Sequence, residues 1–458
     1  MDDDKLGDMP SDATILDEPR TMSELRTFSV FAWLIVGLAG LVPAHVDADL
    51  IIELNDGKRI VVPVDEQNIK SITFTRSGGA RPPGKEKQPS SKIPGTAASG
   101  KGRILRVGSD REIKYPSDAA RIARDGDTIE IDAGTYQNDY ALWKQDNLTL
   151  RGVGGMAHLK SKGLIPNRKA IWIINGNNVT IENVEFSGAA VKDTNGAGIR
   201  HQGGDLTLKN TFFHDNEFSV LTGKLPNATI EIRSSRFWFQ KRERRYGHGI
   251  YIGQVRRLTL IGNYFKGTDQ GHQVKSRALE NHIFYNRIED VQQGNSSRLI
   301  DLSNCGLSFV VGNDLHQAKT SENLNAIGYG PEGCERRDER QMRLYVINNT
   351  FINEASSGSL VRNFAGGDVI VSNNLVFGKV EMLVGKGTAR NNLRLPLRDR
   401  VAQTWSAPSG SAAIDGASRI SPAERVSLVP LSEFAPPAGT RKRPVTGNLD
   451  IGSRERAR

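Results

Sequence analysis

Two cysteines, Cys305 and Cys334, are all that 458 residues contain. A cysteine-rich framework and a thiolate metal site are therefore excluded, and one disulfide remains possible in an oxidising compartment. Aromatic residues make up only 7% of the chain, against 47 glycines, which favours short strands and turns over helical packing. Long apolar runs are equally scarce. The single one, Phe28 to Val42 (FSVFAWLIVGLAGLV), is short for a membrane span of about 20 residues. It has the length of a signal-peptide core, and Pro43 and then Val46-Asp47-Ala48 come after it as a small-x-small cleavage pattern.

The residues before Met22 are acidic and Arg26 gives only a meagre positive flank, so Met22 is the expected start. Residues 1–48 are read as a signal region cleaved after Ala48 or Ala44, an uncleaved anchor being the alternative. The expected destination is secreted or periplasmic, with no stable membrane insertion after cleavage. The net charge of +9 points weakly to a polyanion. Part of it lies at Arg441-Lys442-Arg443 and at Arg454, Arg456 and Arg458, which read as a solvated basic tail. Nucleic acid is not expected as a partner.

Two β-rich runs flank Asn55-Asp56-Gly57, a hairpin signal, and Ile69 to Phe74 reads as a third strand. Residues 49–75 are thus expected to form a small β module. Residues 76–101, rich in Gly, Pro, Ser and Lys, read as a flexible linker. In YPSDAARIARDGDTIEIDAGTY, Ser117 can cap a short helix with Ala119, Ala120, Ile122 and Ala123 on one face, which Gly126 ends.

Repeats dominate the central part of the chain. Similar β-rich strings recur at Leu148 (LTLRGV), Val179 (VTIENVEF), Leu206 (LTLKNTFF), Ala228 (ATIEIRSSRF), Leu258 (LTLIGNYF), His282 (HIFYNRI), Leu307 (LSFVVGNDL), Leu344 (LYVINNTF) and Val369 (VIVSNNLV). Stacked coils of this length, each unable to bury its apolar face alone, predict an all-β, single-stranded right-handed parallel β-helix over 102–395. Asn183, Asn210, Asn263, Asn286, Asn313, Asn349 and Asn374 come after these strands and are expected to form an internal ladder. Residues 396–458 are expected to be an irregular flap ending in a disordered basic tail.

The helix-then-strand opening and the repeats resemble the pectin-lyase-like β-helix superfamily, and the terminal Asp-Ile-Gly string resembles the tails of secreted bacterial members. The resemblance implies a helix capping the first coil and an exposed sheet that binds extended polysaccharide.

A second strand set supplies that sheet: GIRHQ, SVLTG, GIYIG, QVKSR, LIDLS, AIGYG and LVRNF. Alternation points Ile199, Val220, Ile250, Val274, Ile300, Ile327 and Val361 inward. The next residues, Arg200, Leu221, Tyr251, Lys275, Asp301, Gly328 and Arg362, should form an outward column. His248, His272 and Arg298 should form a parallel column at the strand entry, and Arg277 and Ser303 lie two residues after the outward one. Four side-chain types useful in proton transfer thus converge on two adjacent coils.

Each has a plain alternative. Lys275 and Asp301 could be a cross-coil ion pair, His248 and His272 a stacked structural pair, Tyr251 a surface aromatic, and the arginines solvated. As surface groups they should tolerate substitution at about half a kcal/mol or less.

Within the resembled superfamily, lyases employ Lys, Arg, His or Tyr and hydrolases clustered Asp. The composition here is similar to the former. The expected activity is β-elimination on an acidic, uronate-containing polysaccharide. Lys275, Arg277, His272, Tyr251 and His248 are the catalytic candidates, and Arg200, Arg298, Asp301 and Arg362 the substrate-binding ones. No metal or cofactor is expected, with calcium left open. The alternatives are a non-catalytic carbohydrate-binding protein, an epimerase, or a glycoside hydrolase, for which Asp301 is at hand and Asp269 and Glu332 only more remotely.

Overall fold

A computed structural model describes residues 102–240, 247–291, 295–334, 338, 341–400 and 404–456, together with the backbone of Ala32–Trp33, Ala48–Glu53 and Arg59–Val64. The chain divides into two units, Met1–Thr96 and Ala97–Arg458. In the first, Ala48–Glu53 and Arg59–Val64 pair antiparallel, as the Asn55-Asp56-Gly57 signal implies, and Ala32–Trp33 pairs with Ile51 and Ile52. The strand expected at Ile69 to Phe74 and the linker at 76–101 lie outside the described residues. Among the described residues no helix is long and apolar enough to cross a membrane.

The second unit is a parallel β-solenoid. Its strands build a 21-stranded sheet and a 10-stranded sheet among the described residues, both wholly parallel in register. A typical coil gives two short strands to the longer sheet and one to the shorter. Equivalent positions therefore stack on themselves. Phe186, Phe213, Phe237 and Phe265 pair in register, with successive ring centroids 4.9, 5.2 and 4.5 Å apart and rings nearly parallel. Such offset stacks contribute on the order of 1 kcal/mol beyond the area they bury.

The asparagine ladder exists, with its lower end shifted. Asn263, Asn286, Asn313, Asn349, Asn374 and Asn392 each donate a side-chain hydrogen bond to a neighbouring coil, and each of Asn263 to Asn374 passes one to the next at 2.9–3.0 Å. Asn183 and Asn210 sit one position earlier, in the column continued by Ser234, Gly262, Tyr285, Gly312, Asn348, Asn373 and Asn391. All of these have positive φ. Asparagine tolerates that left-handed conformation, so the residue type alone does not tell the two columns apart.

The capping helix spans Pro116–Ile122, with proline in its first turn and no side-chain cap. Ser117 lies inside it and donates its N–H to Asp139, and Ile122 is exposed rather than on the covering face.

The C-terminal segment also corrects an expectation, because Arg443 and Arg454 are buried and paired rather than solvated, whereas Arg441 and Lys442 are exposed as expected and Arg458 lies outside the described residues. Trp405, Ala407, Ala413 and Ile451 pack on Ile352, Leu375 and Phe377 of the last coils. Arg454 reaches Asp314 at 2.6 Å, and Arg443 binds Glu455 and the carbonyls of Asp450 and Gly452. Arg441 pairs with Glu433, and Arg456 donates to the Ala407 carbonyl. A guanidinium with five donors can be buried when carboxylates and carbonyls meet it, and a charge pattern does not reveal such partners.

Candidate functional site

The shorter sheet carries the outward column in unbroken register: Arg200, Leu221, Tyr251, Lys275, Asp301, Gly328 and Arg362 are successive Cα partners. At about 4.8 Å per strand the column runs roughly 29 Å along the solenoid. The inward anchors Ile199, Val220, Ile250, Val274, Ile300, Ile327 and Val361 are fully buried. Glycine is needed at the strand entry. A Cβ on Gly271 would fall 1.7 Å from the Gly247 carbonyl oxygen, so only a bare backbone lets these coils approach with His248 and His272 side by side.

Those imidazoles stack at 5.2 Å, nearly parallel. The N–H of His272 donates to His248 Nδ1 at 2.9 Å, and the N–H of Arg298 donates to His272 Nδ1 at 3.2 Å. An imidazole nitrogen that accepts cannot carry hydrogen, so His272 holds its proton on Nε2, which faces Asp301 Oδ2 at 3.6 Å. Burial pushes His272 down to about 4 against the opposing pull of Asp301. The ring is neutral and its lone pair is engaged. His272 is placed to orient, not to take a proton from a substrate.

Asp301 is the most enclosed member, 1% exposed. Arg298 donates to it at 2.6 Å and the Ser303 hydroxyl also donates to it. Burial works to raise this carboxyl, but the charges of Arg298 and Lys275, joined by that of His272 once acid protonates it, outweigh burial and hold the carboxyl below the usual carboxylate range. Gly328 makes room for this arrangement, since a Cβ there would lie 2.9 Å from Arg298 Nε.

Lys275 pairs with Glu332 at 2.8 Å and not with Asp301, and Arg277 takes the other oxygen of the same carboxylate at 2.6 Å. Both cations lie against Tyr251, with Lys275 Nζ 5.6 Å and Arg277 Cζ 5.5 Å from the ring centroid. His248 touches the same ring from 5.8 Å. Glu332, counted as remote in the sequence, is thus central. Its loop is tied down by the bond between Cys305 and Cys334, whose Cα atoms are 5.5 Å apart, and by its own N–H to the Ser303 carbonyl. The signal that could have found it is its place two residues before Cys334.

Three cations, Lys275, Arg277 and Arg298, thus meet two carboxylates. Arg362 is exposed at one end of the column, and both it and Arg298 lie over Phe364, at 4.9 and 5.3 Å. At the other end Arg200 is half-buried, with its Nε enclosed and without a partner among the described residues. Desolvation lowers its pKa. Lys275, His272 and Asp301 are all less than a tenth exposed, so the cluster is a filled polar layer and not a free surface. Substitutions here will cost more than surface changes do, because each leaves buried partners unsatisfied.

No protein-family model matches the chain, and no curated protein sequence matches it. Solved structures do. The solenoid is similar to a pectate lyase, Pel9A (14% identity over 78% of this chain and 97% of that one, TM-score 0.47). It is similar to an alginate lyase from Paenibacillus sp. str. FPU-7 (14%, 64% and 97%, TM-score 0.46). It is also similar to a GH136 lacto-N-biosidase from Eubacterium ramulus (12%, 64% and 68%, TM-score 0.43). Identities this low transfer no residue's role.

Beside the longer sheet lies an open cavity of about 470 Å³ among Lys266, Asp290, His316, Glu354 and Trp405, which the repeats did not announce. Burial pushes the Asp290 carboxyl up to about 6. Its Oδ2 accepts from Ser296 and Ser321, while Oδ1 is enclosed without a partner among the described residues.

Proposed function

We propose that this chain is an exported enzyme that cleaves an acidic, uronate-containing polysaccharide by β-elimination. The observation that carries the reading is the pair of cations, Lys275 and Arg277, held by one carboxylate against the Tyr251 ring. Two positive charges at this spacing suit a sugar carboxylate, which would take the place of Glu332 between them. Once neutralised, that carboxylate makes the C5 proton easier to remove. The C5–H bond breaks, its electrons form the C4–C5 double bond as the C4–O bond breaks, and the departing oxygen takes up a proton. Tyr251 and Lys275 would handle these protons, with Arg277 on the carboxylate and His248, His272 and Asp301 holding the layer behind them. Arg200, Arg362 and Arg298 with Phe364 would bind neighbouring sugars. Hydrolysis is disfavoured, because a hydrolase needs two carboxyls free to act and both oxygens of each carboxylate in the cluster, Asp301 and Glu332, are already engaged by neighbouring side chains. The Cys305–Cys334 bond supports export, since such bonds persist in oxidising compartments.

The test is a panel of acidic polysaccharides with absorbance read in the ultraviolet, where an unsaturated uronate absorbs. Tyr251→Phe and Arg277→Lys should each lower turnover by about 10²–10⁴-fold while the far-ultraviolet dichroism stays that of the parent. New reducing ends without unsaturation would sink the elimination. Binding without cleavage, unchanged in Tyr251→Phe, would make the protein a carbohydrate-binding one.

A further inference from the structure

On the longer sheet, away from the strands of the proposed site, three side chains from three consecutive coils converge. They are His158 in Thr149–Lys160, Glu185 in Val184–Ser187 and His214 in Phe212–His214. Register places Glu185 directly beside His158, and His214 beside Ser187 on the following coil. One ligand atom from each of the three lies within 4.8 Å of the others. Glu185 Oε1 is 2.9 Å from His214 Nε2 and 3.5 Å from His158 Nε2. Donors around a tetrahedral zinc, with metal–ligand distances of about 2.0–2.1 Å, sit roughly 3.3 Å apart.

His214 adds an electrostatic demand. Its Nδ1 faces the acceptor-only carboxylate of Asp215, so that nitrogen carries hydrogen. In a neutral ring Nε2 then presents a lone pair to Glu185 Oε1 across 2.9 Å, which is repulsive. A second proton on Nε2 relieves this in the metal-free protein, and a metal ion bound at the same point would displace that proton. The carboxylate behind Nδ1 is the partner that metal-bound histidines ordinarily have, fixing the tautomer and raising ligand basicity. Ser187 Oγ meets His158 Nε2 at 2.7 Å. Arg236 lies over Phe212, 4.1 Å from the ring centroid, and adds positive charge near Glu185.

We infer that His158, Glu185 and His214 form a binding site for one divalent transition-metal ion of the zinc class, with Asp215 orienting His214 and water completing the shell. Two imidazoles and one carboxylate suit Zn²⁺, Co²⁺ or Ni²⁺ and not Ca²⁺, which takes oxygen ligands.

Isothermal titration of the untagged full chain with ZnCl₂ tests this, with CaCl₂ as the contrast. One equivalent of Zn²⁺ should bind, and Co²⁺ should give visible absorption bands of a low-symmetry site. His158→Ala and Glu185→Gln should abolish the stoichiometric step. Asp215→Asn should weaken binding about 10–100-fold. His282→Ala removes a histidine that meets Glu280, Phe284 and Phe309 and none of the three ligands, and should leave binding unchanged. Absence of a one-equivalent step in the parent overturns the site. So does a step that survives in both His158→Ala and Glu185→Gln while these variants melt like the parent.

Discussion

Glu332 Oε1 lies 2.8 Å from Lys275 Nζ, from a loop whose next-but-one residue is bonded to Cys305 one coil away. The column on the shorter sheet therefore does not face solvent bare. A carboxylate on a loop fixed by the solenoid's own disulfide already occupies the place that the proposed elimination assigns to a sugar acid. Glu332→Gln keeps the shape and removes the competing charge. It should tighten binding of an oligouronate about fivefold, the scale of one partly exposed ion pair. Titration calorimetry against the parent measures this. Weaker binding in the variant would mean that Glu332 contacts the ligand itself.

His272 and Asp290 set opposite pH dependences. His272 has its pKa lowered to about 4 in the fold, so between there and the ordinary 6.5 the unfolded chain binds more protons than the native one. Stability from this group is complete above about pH 6.5 and is lost as pH falls toward 4, by about 3 kcal/mol over the whole window. Urea melts of the parent and His272→Gln at pH 7 and pH 4.5 should show the variant losing less on acidification. An equal loss in both would show that the ring is not the group responsible.

For Asp290 the sign reverses. Its carboxyl is raised from 3.8 to about 6, so the native state binds the extra proton and stability falls as pH rises through that interval. Asp290→Asn should therefore melt higher than the parent at pH 8, by an amount on the order of 3 kcal/mol at most, and match it near pH 4. A variant less stable at pH 8 would show that the ionised form is held by a partner in the cavity.

Asn313 is a link in the middle of the ladder. Its amide donates to the Ile283 carbonyl and to Asn349, and its oxygen accepts from the N–H and side chain of Asn286. Asn313→Ala leaves at least two buried groups unsatisfied, each costing about 1–3 kcal/mol. Asn210→Ala removes an exposed side chain bonded to Asn183 and should cost far less. Paired urea melts separate these, and similar losses for both would mean that the ladder is not what closes the turns.

The fold was legible because a solenoid writes its register into the sequence. Each coil repeats one alternation, and stacking turns that alternation into columns, so Tyr251, Lys275 and Asp301 could be placed as neighbours from spacing alone. Local periodicity ends where the chain leaves the coil. Glu332 sits in the longest interval between repeats, and Arg443 and Arg454 in a segment with no repeat at all. Their partners, Lys275 with Arg277, Glu455 and Asp314, come from distant parts of the chain or from irregular backbone. Likewise the sequence showed which residues point outward, but only packing decided how far from water they lie. The neutral His272 and the paired Asp301 are consequences of burial, a property of the whole neighbourhood that no single strand encodes.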